Sequence, residues 1–291
     1  MMKFCLVTNK GCEHWCINEW KEKTKGIANK VSPGLIIAES NLEPPRLQSV
    51  HYITKVLLVE KTINQIKERI NEIDKIPGES FAFRMHPKGD EAQIGGLLAV
   101  HLEKKVDLKN PDLILRMFFS DKVAILGIDS FNEKISNRYY KVFSTRASLN
   151  PVTGFVLGYA GVKGKTAFLL TADGIPIIEA KLFNKDANLI GFSKDVVLLK
   201  GARKNSIAAQ VEIEFEEQPG KIESLVCAFP FMKNLHGKHP WELAAGFQWK
   251  LLTIICLPEE KNNFLKIGKP ILNQIIWQGK LKLELLQFKK D

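Results

Sequence analysis

Cysteine and histidine residues are the first groups in this sequence that could bind a metal ion. Cys12 and Cys16 are separated by three residues with His14 between them, and His236 and His239 lie three apart near the other end of the chain. A structural zinc site combines two such closely spaced pairs, and neither pair is followed by a partner at that spacing. The pattern favours a helix face for the cysteines and a loop for the histidines, and it predicts no metal site.

Lysine and arginine give the second chemical signal. The chain has 42 of them against 32 aspartate and glutamate residues, a net charge of +10, and no single tail carries the excess. A basic surface attracts polyanions such as nucleic acids by counterion release and long-range steering. Moderately basic chains are also common among proteins that bind no nucleic acid, so charge alone assigns no function.

Length and composition bound the class of protein. The 291 residues, 45% hydrophobic and 25% charged, exclude a disordered, collagen-like or coiled-coil protein and suggest two or three domains. The apolar runs are shorter than the ~18 residues of a membrane span, and the first residues have no signal-peptide pattern. Five scattered cysteines are typical of reduced thiols. These features predict a cytoplasmic protein with no membrane partner.

The first half of the chain mixes helix and strand patterns. The apolar spacing predicts strands at 4–8, 34–38, 56–59 and 80–84, helices at 12–25, 63–73 and 94–100, and a β-hairpin from 113–119 and 123–128. Pro44 and Pro45 are predicted to open a further helix that carries Leu47, Val50 and Ile53. A stripe of Cys12, Trp15, Cys16 and Trp20 is expected on the buried side of the first helix.

From residue 145 helices and strands alternate strictly. Helices are predicted around 156–157, 177–182 and 196–202, and strands at 167–170, 189–191, 211–213, 223–227, 251–256, 275–277 and 281–286. The last two strands flank Gln278-Gly279-Lys280 and predict a hairpin. Such alternation is typical of a mostly parallel sheet wrapped by helices that ends in an antiparallel pair.

Three motifs of the first half resemble a THUMP domain: residues 80–84, Ile94-Gly95-Gly96 and residues 106–113. The resemblance implies an α+β architecture, with a ferredoxin-like N-terminal domain at 1–60 and a THUMP RNA-binding domain at 61–144. It also implies a tRNA partner held near its acceptor end. Cations and an imidazole in this region could contact phosphates or bases: Arg84, His86, Lys88, Lys104, Lys105, Lys109 and Arg116.

The alternative interpretation of these charges is a solvated rim with no ligand. Asp107 and Asn110, which precede Pro111, are predicted to make turns rather than to contact RNA, because short polar side chains cap turns.

Residues 145–291 resemble the Rossmann-like catalytic domain of the tRNA guanosine-10 methyltransferase family. The matching stretches are residues 170–180, 191–205 and 225–231. The resemblance implies an α/β domain that binds S-adenosylmethionine at the carboxyl ends of its strands. The positions that correspond to cofactor contacts are Asp173, Gly174, Ser193 and Asp195.

The cofactor positions have lost residues with defined roles. A glycine-rich turn lets the backbone approach the cofactor, but here only Gly174 remains, followed by Ile175 and Pro176, whose side chains would crowd that approach. The acid that the family uses to bind the ribose hydroxyls is replaced by Ser193. Asp195, two residues later, is predicted to cap the following helix instead.

The catalytic motif is degenerate as well. In the family an aspartate accepts a hydrogen bond from the guanine amine, and here Ala228 occupies its position, followed by Phe229, Pro230 and Phe231. Alanine has no acceptor, so the positioning and charge stabilisation of the reacting amine are lost. The aromatic and proline side chains are expected to pack in a core rather than to stack on a base.

Three hypotheses follow. The favoured one is a tRNA-binding protein without methyl transfer and without a cofactor, a partner or scaffold for an active RNA-modifying enzyme. The second is an active S-adenosylmethionine-dependent tRNA (guanine) methyltransferase in which Asp173 or Asp195 contacts the cofactor and the carbonyl of Ala228 or Phe229 accepts from the amine. The third is a structural protein whose exposed apolar residues form an interaction patch. That patch would contain Phe229, Phe231, Met232 and Trp241.

Overall fold

The computed structural model describes residues 1–229 and 240–290. The chain forms two compact units, one of Met1–Thr8 with Glu13–Ile135 and one of Asn9–Cys12 with the residues from Ser136 onward. The predicted domain boundary near residue 145 stays a prediction. The division of the first unit into domains at residue 60 stays a prediction.

The first unit is built on one eight-stranded sheet. Its elements are β1 (Met2–Val7), α1 (Glu13–Thr24), β2 (Ile27–Ser32), β3 (Leu35–Ser40), β4 (Tyr52–Glu60), α2 (Ile63–Glu68), a 3-10 turn (Ile70–Glu72), β5 (Ser80–His86), α3 (Glu91–Leu102), β6 (Lys105–Val106), β7 (Leu113–Phe119) and β8 (Ala124–Asp129). The strand order is β2-β3-β1-β4-β8-β7-β5-β6. Strands β6, β5 and β7 are parallel and the other pairs are antiparallel. The predicted hairpin is confirmed as β7 and β8.

Helices cover the sheet through two apolar clusters. Phe4 and Trp20 belong to the cluster between α1 and strands β1 and β3, and Phe83, Leu98 and Met117 belong to the cluster under α2 and α3. Alternate residues of a strand point to opposite faces, so the residues next to Phe83 on β5 lie on the helix-free face. The predicted α1 stripe is confirmed, since Trp15, Cys16 and Trp20 are buried on this helix and Cys12 is buried just before it.

The helix predicted at Pro44 and Pro45 is wrong. Residues 41–50 contain no helix, and Ile53 lies in β4. The residue before a proline is biased away from helical angles, and the Glu19 carboxylate accepts the backbone N–H groups of Gln48 and Ser49 at 2.8 and 2.9 Å. These hydrogen bonds allow an irregular segment to bury Leu47 and Val50, which explains its apolar spacing.

The second unit contains a seven-stranded sheet. Its elements are α4 (Pro151–Gly161), β9 (Thr166–Leu169), α5 (Ile175–Phe183), β10 (Leu189–Phe192), α6 (Val196–Ala208), β11 (Glu214–Glu216), β12 (Ser224–Phe229), α7 (Pro240–Ala245), β13 (Leu251–Cys256), a 3-10 turn (Pro258–Glu260), α8 (Lys261–Phe264), a 3-10 turn (Leu265–Ile267), β14 (Leu272–Gln278) and β15 (Leu281–Lys289). The strand order is β11-β10-β9-β12-β13-β15-β14.

The predicted topology of this sheet is confirmed. The five strands β9 to β13 are parallel. Strands β15 and β14 complete the sheet as an antiparallel hairpin next to β13. Central parallel strands are buried on both faces, as in β12, all six residues of which are buried. The strand predicted at 211–213 is an exception, because these residues have no ladder partner and β11 begins at Glu214.

Local sequence fixes where α4 starts, and close packing positions the start of α5. Asn150 accepts the Thr153 N–H at 2.8 Å and Pro151 occupies the first turn of α4, a position that suits proline because its missing N–H would have no partner there. Glycines then let α4 approach α5 closely: a Cβ on Gly154 would lie 2.6 Å from the Ile175 side chain. The start of α5 is therefore held directly against α4.

None of the helices in the described part of the chain combines the length and apolarity needed to cross a bilayer. Within the same residues, no three histidine, cysteine or carboxylate side chains are placed to hold a metal ion. His236 and His239, predicted to lie in a loop, fall outside the described residues. The five cysteines are buried and form no disulfide bonds.

Candidate functional site

The polar residues singled out in the second unit meet at one edge of its sheet. Asp173 and Gly174 follow β9, Ser193 and Asp195 follow β10, and Ala228 lies near the end of β12. These are neighbouring parallel strands, so their carboxyl ends lie side by side. Doubly wound α/β folds bind ligands outside these ends. The sequence therefore identified one common location, and the local geometry decides what it can hold.

Gly174 forms a tight turn that packs directly on α6. Its φ of +75° lies in the left-handed region that favours glycine, and a Cβ at this position would lie 2.8 Å from the Cβ of Ala202. The turn is thus closed on one side by α6. Ile175, predicted to crowd a cofactor, is buried against Gly154 of α4, whereas Pro176 lines the cavity beside the turn.

Asp173 is buried next to a lysine. Its Oδ2 atom lies 3.6 Å from the Lys141 Nζ atom, its side chain is fully buried, and its Oδ1 atom accepts the Ile175 N–H at 3.4 Å. Burial raises the pKa of the Asp173 carboxyl, against the smaller lowering effects of the Ser148 hydroxyl and Lys141. Oδ2 has no hydrogen-bond partner among the described residues. The buried carboxylate is therefore stabilised by the Ser148 hydroxyl, the Lys141 ammonium and the Ile175 N–H.

Ser193 and Asp195 serve the start of α6. The Asp195 side chain accepts the N–H groups of Val197 and Leu198 at 2.8 and 3.3 Å, which confirms the predicted helix cap. The Ser193 hydroxyl accepts the Asp195 N–H at 3.1 Å and is buried. Both side chains therefore hold the turn that follows β10.

At the end of β12 the groups proposed for catalysis are engaged in the core. The Thr171 hydroxyl donates to the Ala228 carbonyl at 2.6 Å, the atom that the active-enzyme hypothesis would use as an acceptor. Phe229 is buried and stacks on Phe264 with ring centroids 5.6 Å apart. Pro230 and Phe231 lie outside the described residues, as does Met232.

Among the described residues, Phe229 and Trp241 do not form the exposed apolar patch of the third hypothesis. Phe229 is buried, and Trp241 is half-buried with the Lys266 ammonium 5.0 Å from its ring centroid. A cation above an aromatic face is an attractive contact. These two side chains therefore leave no shared exposed surface.

The space left at this edge is small. A cavity of about 20 Å³ lies beside Asp173, Gly174 and Ala228. One buried water needs about 10–15 Å³, whereas pockets for small molecules and cofactors measure roughly 300–1,000 Å³. This cavity therefore holds about one water molecule and is too small for S-adenosylmethionine.

A buried ion pair lies at the first turns of α5. Arg138 donates to the two carboxylate oxygens of Glu179 at 2.7 and 3.2 Å, and the Tyr140 hydroxyl also donates to Glu179. Glu179 is fully buried. Burial and the Glu179 charge raise the pKa of Tyr140. Two-point pairing of this kind fixes geometry, so Glu179 has a structural role here.

The candidate RNA-binding residues lie in the first unit, and the three on its strands share one face. Arg84 and Arg116 are register partners on β5 and β7, and His86 is the register partner of Phe118. They lie on the helix-free face, since Phe83 and Met85 between them face the helices. This placement brings Arg84, His86 and Arg116 together on neighbouring strands.

The two arginines on this face already have partners. Arg116 donates to Asp129 at 2.6 Å and stacks over Tyr52, 4.2 Å from its ring centroid, while Arg84 donates to the backbone carbonyls of Phe83 and Leu108. His86 is exposed. Its pKa is lowered by partial burial, with smaller effects of Lys134 and Arg116, so a neutral imidazole is favoured near neutral pH.

The lysines differ in how accessible they are. Lys88, Lys105 and Lys109 are exposed, whereas Lys104 is half-buried and its ammonium donates to the Gly78 carbonyl. Asp107 accepts the N–H groups of Lys109 and Asn110, each at 2.9 Å, which confirms its predicted role in a turn. Of the candidate RNA-binding residues, the exposed lysines are therefore Lys88, Lys105 and Lys109, and Lys134, which lowers the pKa of His86, is exposed as well.

Sequence reasoning missed Lys134, Lys141 and Arg138. Lys134 lowers the pKa of His86. Lys141 pairs with Asp173, and Arg138 pairs with Glu179, 41 positions away. No spacing rule connects residues at such separations. The only signal in the sequence is the basic segment between β8 and α4.

Comparisons with known proteins agree with this topology. No protein-family model matches the chain, and no curated protein sequence matches it. Among solved structures it is similar to TrmN from Thermus thermophilus, with 17% identity over 100% of both chains and a TM-score of 0.77. It is also similar to a "predicted N6-adenine-specific DNA methylase" from Listeria monocytogenes, with 14% identity over 100% of this chain and 96% of that chain and a TM-score of 0.76.

A third similar structure contains a bound ligand. It is SMU.472, "a putative methyltransferase complexed with SAH", with 14% identity over 100% of this chain and 98% of that chain and a TM-score of 0.75. At such low identity the similarity defines the fold. The chain therefore has a methyltransferase-like, Rossmann-like fold in its second unit, joined to a first unit that these structures also cover.

Proposed function

We propose that this chain is a tRNA-binding protein on a methyltransferase-like fold, and that it does not transfer methyl groups. In this proposal the first unit comprises a ferredoxin-like and a THUMP domain, and it supplies the RNA contacts. The observation that carries the loss of transfer is the cavity of about 20 Å³ where a cofactor would have to sit. Fold alone does not imply activity, because chemistry depends on the residues of the site.

The polar groups at this edge support the proposal because each has a structural partner. Asp173 faces Lys141, Asp195 caps α6, and the Ala228 carbonyl accepts from Thr171. An active enzyme would need to release several of these contacts to bind a donor and orient an amine. No described residue at the end of β12 supplies an acid in place of Ala228.

RNA binding is supported by the exposed cations of the first unit. Lys88, Lys105 and Lys109 are exposed and can reach phosphate oxygens, and His86 at the end of β5 offers an exposed ring two residues before Lys88. Phosphate contacts position a protein on RNA, and exposed aromatic or imidazole rings can stack on unpaired bases. The two arginines are less available because both have internal partners.

A binding assay tests the RNA contacts. Fluorescence anisotropy with a labelled tRNA transcript at about 50 to 200 mM salt should give an affinity that falls steeply with salt. Replacing Lys88, Lys105 and Lys109 together by alanine should reduce the slope of log K against log salt by about three. The matched control replaces the exposed lysines of the second unit, Lys185, Lys280 and Lys289. Equal losses for both triple variants would contradict the placement of the RNA contacts.

A calorimetric titration tests the missing cofactor. S-adenosylmethionine is titrated into the chain alone and into its tRNA complex, because RNA could order a cofactor site. Absence of heat up to millimolar donor in both titrations supports a non-catalytic protein. Micromolar binding in either one would support the active tRNA methyltransferase instead.

A further inference from the structure

Strand β11 is the edge strand of the second sheet, and no other described strand lies on its outer side. It pairs with β10 through Glu214 to Glu216. An edge strand presents backbone N–H and C=O groups that another chain can pair with. Proteins usually block such edges with lysine, proline or a covering element, and here the exposed side chains of β11 are glutamates.

The strand pattern is longer than the strand. From residue 211 to 216 apolar and acidic residues alternate: Val211, Glu212, Ile213, Glu214, Phe215 and Glu216. The apolar members are half-buried and the acidic members are exposed. Strict alternation is the signature of a strand with one buried face, yet residues 211–213 have no ladder partner. This stretch therefore has the pattern of a strand without the pairing.

A groove runs beside this segment. Its volume is about 630 Å³, and its apolar lining includes Leu189, Val211 and Ile213. Ile207 of α6 also lines it and is 75% exposed. Such a volume is within the range of binding pockets. Covering the exposed Ile207 side chain would remove apolar surface from water, which favours binding. The groove can receive the apolar side chains of an added segment.

The backbone geometry shows which groups face the free edge. The Ser193 N–H donates to the Glu216 carbonyl at 3.3 Å, so the backbone groups of Glu216 and Glu214 point toward β10. Because these groups alternate along a strand, those of Ile213 and Phe215 point outward. The Phe215 carbonyl accepts from the Arg203 guanidinium at 2.9 Å. An exposed side chain therefore holds the position that an added strand would occupy.

Charge selects the kind of partner. Glu212, Glu214 and Glu216 form an acidic row on a chain of net charge +10, and both cations of the groove, Lys181 and Arg203, donate to backbone carbonyls. The row repels RNA and attracts lysine and arginine. We propose that β11 and its groove bind an extended basic segment of a partner protein, which extends the sheet as an added strand. Main-chain pairing supplies affinity and alternate side chains supply specificity in this mode.

Synthetic peptides test the proposal with the full chain. The probe is a fluorescent nine-residue peptide that alternates lysine and valine. One control peptide has the same composition with its lysines in one block, and another alternates glutamate and valine. The alternating basic peptide should bind at least tenfold more tightly than either control. Equal binding of the two basic peptides, or no binding up to millimolar concentration, would overturn the proposal.

Hydrogen exchange locates the bound peptide. Peptide addition should slow exchange at the amides of Ile213 and Phe215, which face the free edge. Unchanged exchange at both amides would exclude strand addition even if the peptide binds.

Variants separate the acidic row from overall charge. Glu212→Lys with Glu214→Lys should weaken the alternating basic peptide at least tenfold. Glu68→Lys with Glu259→Lys changes net charge equally at exposed sites elsewhere and should leave binding within twofold. Arg203→Ala frees the Phe215 carbonyl and removes a positive charge, so it should strengthen binding severalfold. Weaker binding of the Arg203 variant, or equal losses in the two double variants, would contradict the proposal.

Discussion

The two regions singled out by the sequence use their polar residues in opposite ways. At the carboxyl edge of the second sheet, Asp173 pairs with Lys141, the Ser193 hydroxyl accepts a hydrogen bond within the turn after β10, and Asp195 caps α6. In the first unit, Lys88, Lys105 and Lys109 are exposed to solvent. Polar groups that pair or hydrogen-bond with one another stabilise a fold, whereas exposed charges remain available for a ligand. The second unit thus uses these polar residues within its own fold, whereas the first unit leaves its lysines available for the ligand proposed above.

The Arg138–Glu179 pair gives the largest expected effect. Arg138→Ala leaves a buried carboxylate without its cation, which should lower the free energy of unfolding by about 3–5 kcal/mol. Urea denaturation followed by circular dichroism measures the loss. Lys185→Ala, at an exposed lysine of the same unit, is the control. A loss below about 1 kcal/mol would mean that Glu179 is solvated or paired elsewhere.

Gly174 comes next, because both its backbone angle and its neighbours exclude a side chain. Gly174→Ala should cost about 2–4 kcal/mol, from left-handed strain and from contact with Ala202. Gly279→Ala is a matched control, since Gly279 has a φ of +64° with no atom within 4 Å of an added Cβ. Equal thermal destabilisation of the two variants would show that the Gly174 turn has free space beside it.

Lys141→Ala should lower stability at neutral pH by about 1–2 kcal/mol, less than a fully buried pair because Lys141 is partly exposed. The loss arises because no other cation in the described part of the chain pairs with the Asp173 carboxylate. In an Asp173→Asn background the same substitution should cost little. Denaturation of the single and double variants gives the coupling energy, and a coupling of zero would contradict the pairing.

Asp173→Asn should have the smallest effect on stability, and the effect should depend on pH. The raised pKa of Asp173 means that the folded state binds its proton more tightly than the unfolded state. The stability that this group contributes is present below its unfolded pKa and is lost as pH rises through the raised folded pKa. The free energy of unfolding of the wild type should therefore fall relative to that of the variant as pH rises. Parallel curves would contradict the raised pKa.

Much of the fold could be predicted because its patterns are local. The hairpin of β7 and β8 and the parallel strands from β9 to β13 follow from apolar periodicity and turn residues. The Asp195 cap was predicted for the same reason, since a cap involves residues two and three positions apart. The failed helix after Pro44 is different, because its apolar residues are fixed by hydrogen bonds to the distant Glu19.

The candidate site could be located but not described from the sequence. The ends of β9, β10 and β12 follow from strand order, whereas the contacts of Lys141 and Arg138 depend on tertiary packing. The missing volume beside Gly174 also arises from packing, since it depends on how closely α4, α5 and α6 approach the turn. Sequence alone shows that the motif residues are replaced, and only the packed structure shows what takes their space.

A crystal structure of the chain grown with millimolar S-adenosylmethionine tests the central claim most directly. The account predicts no donor beyond the end of β9, with Lys141 still next to Asp173 and the small cavity unchanged. A donor seated there, with the Asp173 or Asp195 carboxylate on its ribose, would contradict the claim that this edge of the sheet no longer binds a cofactor.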